Sequence, residues 1–306
     1  MSAPLSLDGA KALVTGASGF IGSHLCERLL DARAEVHGLS RSEQTRTVVR
    51  WWATDVCDTE GTLALVREVR PDLIFHLASH VSGSRGLDAV LPTLHSNLLS
   101  SVNILLAAAE VGCDRVVLAG SLEEPDSEDH QPVPVSPYAA AKFAAGAYGR
   151  MFHSLHDVPV VMLRIFMVYG PGQRDETKLV PYVITSLLRG ESPGLSSGTR
   201  PVDWVYVDDV VEAFIASVTT DKVLGETLDV GSGVLTPIRA VVEEIVQLMP
   251  PSVEVRFGAL PDRPNERVRV ADVEHTHALL GWAPRTRLKE GLAATVDWYA
   301  AQEDTA

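Results

Sequence analysis

The sequence predicts an α/β fold, a doubly wound parallel sheet with helices on both faces followed by a smaller C-terminal α/β domain. Three observations predict it. Short β-branched or apolar runs alternate with longer helical patterns through the first half, a glycine-rich turn joins the first strand to the first helix, and the rhythm breaks into Gly/Pro-rich loops after Phe166. The chain has 306 residues, 46% hydrophobic and 22% charged, enough to bury one large or two modest cores.

In chain order, residues 11–14, 35–39, 73–76, 116–119 and 160–166 have the length and composition of strands. Residues 21–30, 59–69, 97–111 and 138–155 fit the helices between them. Beyond the loops, residues 202–207 form a further strand, followed by a helix with Asp208 or Asp209 as its N-cap. Residues 123–137 are an acidic, proline-rich loop.

Lys and Arg number 26 against 40 Asp and Glu, a formal charge of −14. That balance lacks the basic footprint of a nucleic-acid or anionic-membrane binder, so a phosphate ligand must be held locally. Apolar runs fall short of the roughly 20 residues that cross a bilayer, and the N-terminus carries no export pattern, so a soluble, cytoplasmic protein is expected. Cys26, Cys57 and Cys113 match neither a disulfide framework nor a zinc pattern, and the histidines show no ligand spacing, so no metal site is expected.

Thr15-Gly16-Ala17-Ser18-Gly19-Phe20-Ile21-Gly22 opens the first helix. Glycines there let the backbone approach a pyrophosphate that sits on the N–H groups of the helix terminus. After the second strand, where an acid usually bonds a ribose 2′-hydroxyl, the chain reads Ser40-Arg41-Ser42. Arg41, assisted by Ser40 or Ser42, suits a 2′-phosphate, which favours NADP(H), with NAD(H) as the alternative.

Tyr138 and Lys142 lie one helical turn apart. A free tyrosine titrates at about 10. The ammonium of Lys142, together with the oxidised nicotinamide when present, is expected to lower that value, so that Tyr138 can pass a proton to or from a sugar oxygen while hydride moves at the attached carbon. Ser121 stands at the carboxyl edge of its strand, where a hydroxyl can hydrogen-bond a reacting oxygen, and Glu123 follows as a candidate acid.

The spacing Gly16-x-x-Gly19-x-x-Gly22 and the run Ser136-Pro137-Tyr138-x-x-x-Lys142 resemble the short-chain dehydrogenase/reductase superfamily, and TGASGFIG resembles its extended branch. The resemblance spans about residues 11–299. It implies a Rossmann-type dinucleotide domain over 1–170 plus 202–230 and a nucleotide-sugar domain over 171–201 plus 231–306. It implies a catalytic set of Ser121, Tyr138 and Lys142, with Lys142 also on the nicotinamide ribose. Asp55 and Val56 would touch the adenine, and Leu77, Ala78 and Ser79 would pass beneath the cofactor. Arg164, Lys178, Val180, Arg200 and Arg263 fall in segments similar to the family's nucleotide-diphosphate pocket, where Lys178 and Val180 would line the nucleotide base.

Dehydratases of this family carry Thr-Asp-Glu or Thr-Ser-Glu where Ser121-Leu122-Glu123 stands, and the missing polar group disfavours water elimination. Gly-Ser-x-Glu-Glu instead resembles the turn of 4-keto-6-deoxysugar reductases. The resemblance therefore implies an NADP(H)-dependent reductase acting on the 4-keto group of a nucleotide-diphosphate hexose. A 4-epimerase or 4,6-dehydratase is the alternative, and a non-catalytic dinucleotide sensor is a remote one. It also implies a homodimer built on the helices near 97–111 and 138–155.

Overall fold

The computed structural model describes residues 5–41, 44, 48–125, 131–249, 253–262 and 267–303. In chain order the elements are β1 (Lys11–Thr15), α1 (Phe20–Asp31), β2 (Glu35–Ser40), β3 (Arg50–Ala53), α2 (Thr59–Val69), β4 (Leu73–His76), α3 (Val90–Thr93), α4 (Ser100–Val111) and β5 (Arg115–Ser121). They continue with α5 (Pro137–His156), β6 (Val160–Ile165), β7 (Met167–Tyr169), α6 (Leu179–Leu188), β8 (Pro201–Tyr206), α7 (Val207–Ser217) and β9 (Thr227–Val230). The last are β10 (Leu235–Pro237), α8 (Ile238–Leu248), α9 (Val273–Leu280) and α10 (Leu288–Glu303).

The chain divides into two compact units. The first holds residues 1–165, 211–229 and 274–282, and its seven-stranded sheet runs β3-β2-β1-β4-β5-β6-β9. The pairs β2–β3, β1–β2, β1–β4, β4–β5 and β5–β6 are all parallel. β1 and β4 are neighbours although the chain visits β2 and β3 between them, so strand order reverses there. The carboxyl ends of β1 and β4 flank that switch point, where open α/β sheets bind ligands. Ile74, Val116 and Val160 on the strands, Leu65 and Val66 on α2, and Ile104 and Leu105 on α4 fill a core on one face of this sheet.

Two helix starts depart from or bear out the capping expected of their residues. Ser136 caps α5, its Oγ accepting the Ala139 N–H at 3.1 Å, and Pro137 occupies the first turn where its missing N–H costs nothing. Asp208 and Asp209 are not caps: α7 already begins at Val207 and both acids lie in its first turn. The stretch Leu87–Val111 forms one helical run of 25 residues, long and apolar enough by length and composition to cross a membrane, although polar side chains such as Asp88, His95, Asn97 and Asn103 interrupt it. Between α3 and α4 it contains a π-helical segment, Leu94–Leu99.

The second unit holds residues 166–210, 230–273 and 283–306. Its three-stranded sheet runs β10-β8-β7, with β7–β8 parallel and β8–β10 antiparallel. Trp204, Tyr169, Ile184, Val242, Ile245 and Leu292 form its core. These pairings correct the expected boundary, because β8 is a strand of this small sheet and not of the dinucleotide domain. Residues 274–282 move the other way, Thr276 donating to the Asp229 carbonyl at 2.8 Å.

Candidate active site

The carboxyl edge of the large sheet is assembled from four strand ends. After β1, Gly16 has φ +68°, and a Cβ there would lie 2.8 Å from the Ala78 backbone nitrogen, so only glycine brings this turn against the segment after β4. A Cβ on Gly22 would run into the Gly16 carbonyl oxygen. Gly19 donates to that carbonyl at 2.9 Å, and α1 begins at Phe20 with no side-chain cap and no acid in its first turn. Ser18 and Gly19 are exposed. The open positive end of a helix behind a loop of glycines fits a dinucleotide pyrophosphate.

The segment after β4 is held by buried polar groups. Thr15 Oγ1 accepts the Ala78 N–H at 3.1 Å, so its own proton goes to His76 Nδ1 at 2.8 Å. His76 then carries its proton on Nε2, facing Ser100 Oγ at 3.2 Å, whose hydroxyl donates to the Ser96 carbonyl. Burial pushes His76 down to about 3, with the Lys142 charge acting in the same direction, so it is a neutral structural post. Asn97, in the π-helical segment, accepts the His80 N–H at 2.7 Å and the Ser79 hydroxyl at 3.1 Å, and returns a bond to the His80 carbonyl at 3.2 Å.

Ser121, Tyr138 and Lys142 are brought together. Tyr138 is buried, with the side chains of Ser121 and Ser79 near enough to its hydroxyl to act on its proton. Ser121 Oγ accepts the Glu123 N–H at 3.2 Å, which leaves its proton for an oxygen in front of it. The Lys142 ammonium, also buried, donates to the Ala119 carbonyl at 2.7 Å and sits 6.0 Å from the Tyr138 ring centre. Burial pushes the Lys142 ammonium down to about 8, against the charge of Glu124. In the protein's own groups burial, and not the Lys142 charge, sets the direction for the phenol. Burial pushes Tyr138 up to about 12, the charges of Glu123 and Glu124 acting with it, while Ser121 and Ser79 act against it. The phenol is therefore a protonated donor at neutral pH.

The other predicted residues divide. Ser40 Oγ accepts from Gln44 at 3.3 Å, and Arg41 is exposed just beyond β2, close enough for its charge to act on the Cys57 thiol. Asp55 is exposed and closes its own turn on the Cys57 N–H at 2.9 Å, and the Val56 carbonyl accepts from Asn103 at 2.9 Å. Glu123 accepts from Ser136 at 3.2 Å and is tied to the start of α5.

Arg164 is not a free anion ligand. Its guanidinium binds Asp229 at 2.8 Å, bracing β6 to β9. Val180 is corrected as well, since its side chain is in the core of the second unit and cannot line a base. Lys178 pairs with Asp175 at 3.8 Å at the start of α6, and Arg200 begins the approach to β8 with its Nε buried. Both belong to the second unit, and Arg263, like Ser42, lies outside the described residues. Glu124 is the residue sequence reasoning passed over. It is buried, and its Oε1 accepts the Ser121 N–H at 2.6 Å. The paired glutamates of the turn were the available signal, and nothing in their spacing says which one folds inward.

Comparison with known proteins agrees with this edge. The model of the NAD dependent epimerase/dehydratase family matches residues 12–231. A UDP-glucose 4-epimerase of Mycolicibacterium smegmatis is 33% identical, over 94% of this chain and 98% of that one. A dTDP-glucose 4,6-dehydratase of Haemophilus influenzae is 27% identical, over 94% and 97%. Among solved structures, the Thermus thermophilus UDP-glucose 4-epimerase with NAD superposes with a TM-score of 0.84 at 28% identity, covering 95% of this chain and 99% of that one. The Thermotoga maritima UDP-glucose 4-epimerase with UDP-glucose does so with a TM-score of 0.87 at 25% identity, covering 96% and 99%. With the glycine cradle after β1, the Ser-Tyr-Lys set at the carboxyl edge and a relative matched almost end to end, this chain belongs to the NAD dependent epimerase/dehydratase family, within the extended short-chain dehydrogenase/reductases.

Proposed function

We propose that this protein is an NADP(H)-dependent oxidoreductase that reduces the 4-keto group of a nucleotide-diphosphate hexose. The observation that carries the reading is the buried Tyr138 and Lys142 gathered with Ser121 at the carboxyl edge of the sheet, a set that can deliver a proton to an oxygen placed there. A dinucleotide held on residues 16–22 supplies the hydride when bound. Ser121 polarises the carbonyl with its hydroxyl proton, and Tyr138 gives its proton to the oxygen as negative charge develops there. Lys142, charged below about pH 8, stabilises the phenolate left behind. Burial of both groups keeps water from competing.

Arg41 supports the NADP(H) preference, because the end of β2 offers a cation and no acid for a ribose hydroxyl. Leu122 in the turn, with Glu123 tied to Ser136, argues against water elimination. Arg263 and Arg200 are the proposed diphosphate ligands, and Lys178 is proposed to line the nucleotide base. A cytoplasmic homodimer through α4 and α5 is part of the reading. Its supports are the exposed Leu106, Tyr148 and Leu155, since Ala107, Ala108, Ala139, Ala141 and Ala145 face the protein's own core.

A second reading is a 4-epimerase that keeps its dinucleotide, favoured by the 33% identity to the mycobacterial UDP-glucose 4-epimerase. One experiment separates them. Stoichiometric loss of NADPH absorbance on adding a nucleotide-diphosphate 4-ketohexose is the outcome expected of the reductase. Interconversion of UDP-glucose and its C4 epimer by protein carrying unconsumed dinucleotide would replace it with the epimerase.

A further inference from the structure

We propose that Glu124 is a positioning residue for the reaction, its buried carboxylate clamping the backbone of Ser121 on one side and acting as the counter-charge of the Lys142 ammonium on the other. This rests on the reading of Ser121, Tyr138 and Lys142 as the reacting set.

The clamp is double. Glu124 Oε1 accepts the Ser121 N–H at 2.6 Å, and the Glu124 N–H donates to the Ser121 carbonyl at 3.1 Å. Ser121 is the last residue of β5, paired in register with Ile165. Without the clamp, a strand end whose hydroxyl must meet a substrate oxygen would be held from one side only. The sequence makes room for the carboxylate: a Cβ on Gly120 would lie 2.6 Å from Oε1. On α5, a Cβ on Gly146 would lie 3.9 Å from Oε2 and 3.5 Å from Arg150 Nη1. Two glycines on two elements thus border one buried acid.

The second half follows from charge. Lys142 donates to the Ala119 carbonyl at 2.7 Å and Glu124 accepts the Ser121 N–H at 2.6 Å, two residues further along β5, so one strand end holds both groups and the carboxylate favours the protonated lysine. The groups around it are Tyr138 on its own helix, His76 on β4, Glu123 and Glu124 in the turn after β5, and Arg150 further along α5. His76 is neutral, and Glu123 is bound to Ser136. Charged groups on the other elements that pack on α5 are paired elsewhere: Arg115 with Asp221, Arg164 with Asp229 and Glu110 with Arg67. The His95 carbonyl accepts from Cys57. Glu124 is therefore the group through which the turn controls the charge of Lys142.

The test reads Lys142 directly and without activity. Lys142 is one of five lysines, so its ε-carbon signal can be assigned by its loss in Lys142→Arg and titrated by NMR. In the wild type the midpoint is expected near 8. Glu124→Gln keeps an acceptor for the Ser121 N–H and removes the charge, so the midpoint falls by about one pH unit. The alkaline limb of the hydride-transfer rate follows it, while KM for the nucleotide sugar is unchanged. Glu124→Asp keeps the charge and the midpoint but lengthens the clamp, lowering kcat roughly 10-fold. A Lys142 midpoint that stays put in Glu124→Gln overturns the proposal. A midpoint that falls in a protein inert towards every 4-ketosugar upholds the coupling and overturns the reaction reading instead.

Discussion

Replacing Lys142 by methionine changes how stability responds to pH. The ammonium titrates at about 8 in the folded protein against 10.5 when unperturbed, a gap worth about 3 kcal/mol at ~1.36 kcal/mol per unit. Between those values the unfolded chain binds more protons than the folded one, so this site makes stability rise with pH across that window, and its full cost is present at pH 7. From pH 7 to 9.5 the wild type recovers about 2 kcal/mol from this group and Lys142→Met recovers none. The lost bond to Ala119 and the nearby Glu124 set a constant offset between the two proteins at these pH values. Burial pushes the Cys57 and Cys113 thiols up to about 11 and about 12, but both proteins share them, and they cancel in the difference. Urea unfolding of both proteins at pH 7 and 9.5 measures it. The stability of the variant relative to wild type should fall by about 2 kcal/mol over that interval. A difference that is flat, or that moves in favour of the variant, would refute the reasoning.

Four further outcomes are expected. Tyr138→Phe should lower kcat by at least about 100-fold with dinucleotide affinity unchanged, as read by stopped-flow reduction and calorimetry. Gly22→Ala drives a methyl into the Gly16 carbonyl and should weaken dinucleotide binding by about 10-fold or more, which a calorimetric titration would detect. Arg41→Asp should shift the NADP(H)-to-NAD(H) affinity ratio at least ~10-fold towards NAD(H), and an unchanged ratio would remove Arg41 from the site. Asp203 is buried and accepts from Ser232 N–H and hydroxyl, Gly233 N–H and Ala271 N–H at 2.6, 2.7, 3.0 and 2.9 Å. Asp203→Ala should therefore cost about 3–5 kcal/mol in denaturant unfolding of the second unit.

The parts of the fold legible in the sequence are those whose signal is local. β1, α1 and the glycine turn each show their own period within a dozen residues, and so do β4, β5 and α5. β3 escaped notice because its four residues, including Trp51 and Trp52, are only partly buried and show no clean alternation. β9 escaped because it is as short, and because it joins the sheet through long-range pairing with β6. Tyr138 and Lys142 were legible because one helical turn brings them together. Their protonation was not: it depends on how deeply the fold buries them, and burial outweighs the neighbouring charge. Arg164 was misread for a similar reason, since its partner Asp229 is 65 residues away in the chain.

The π-helical segment has a consequence for how this protein can vary. A π turn holds one residue more than an α turn, so Leu94–Leu99 is in effect an α-helix with a single insertion. The wide turn absorbs that residue, so removing one there would restore regular winding with α3 and α4 in their present phase and would change only which side chains the segment itself presents. Asn97 would then swing away from His80 and Ser79, and the loop behind the catalytic tyrosine would lose its anchor. Asn97 and the length of the run should therefore be kept more strictly in descendants of this chain than the identity of its leucines.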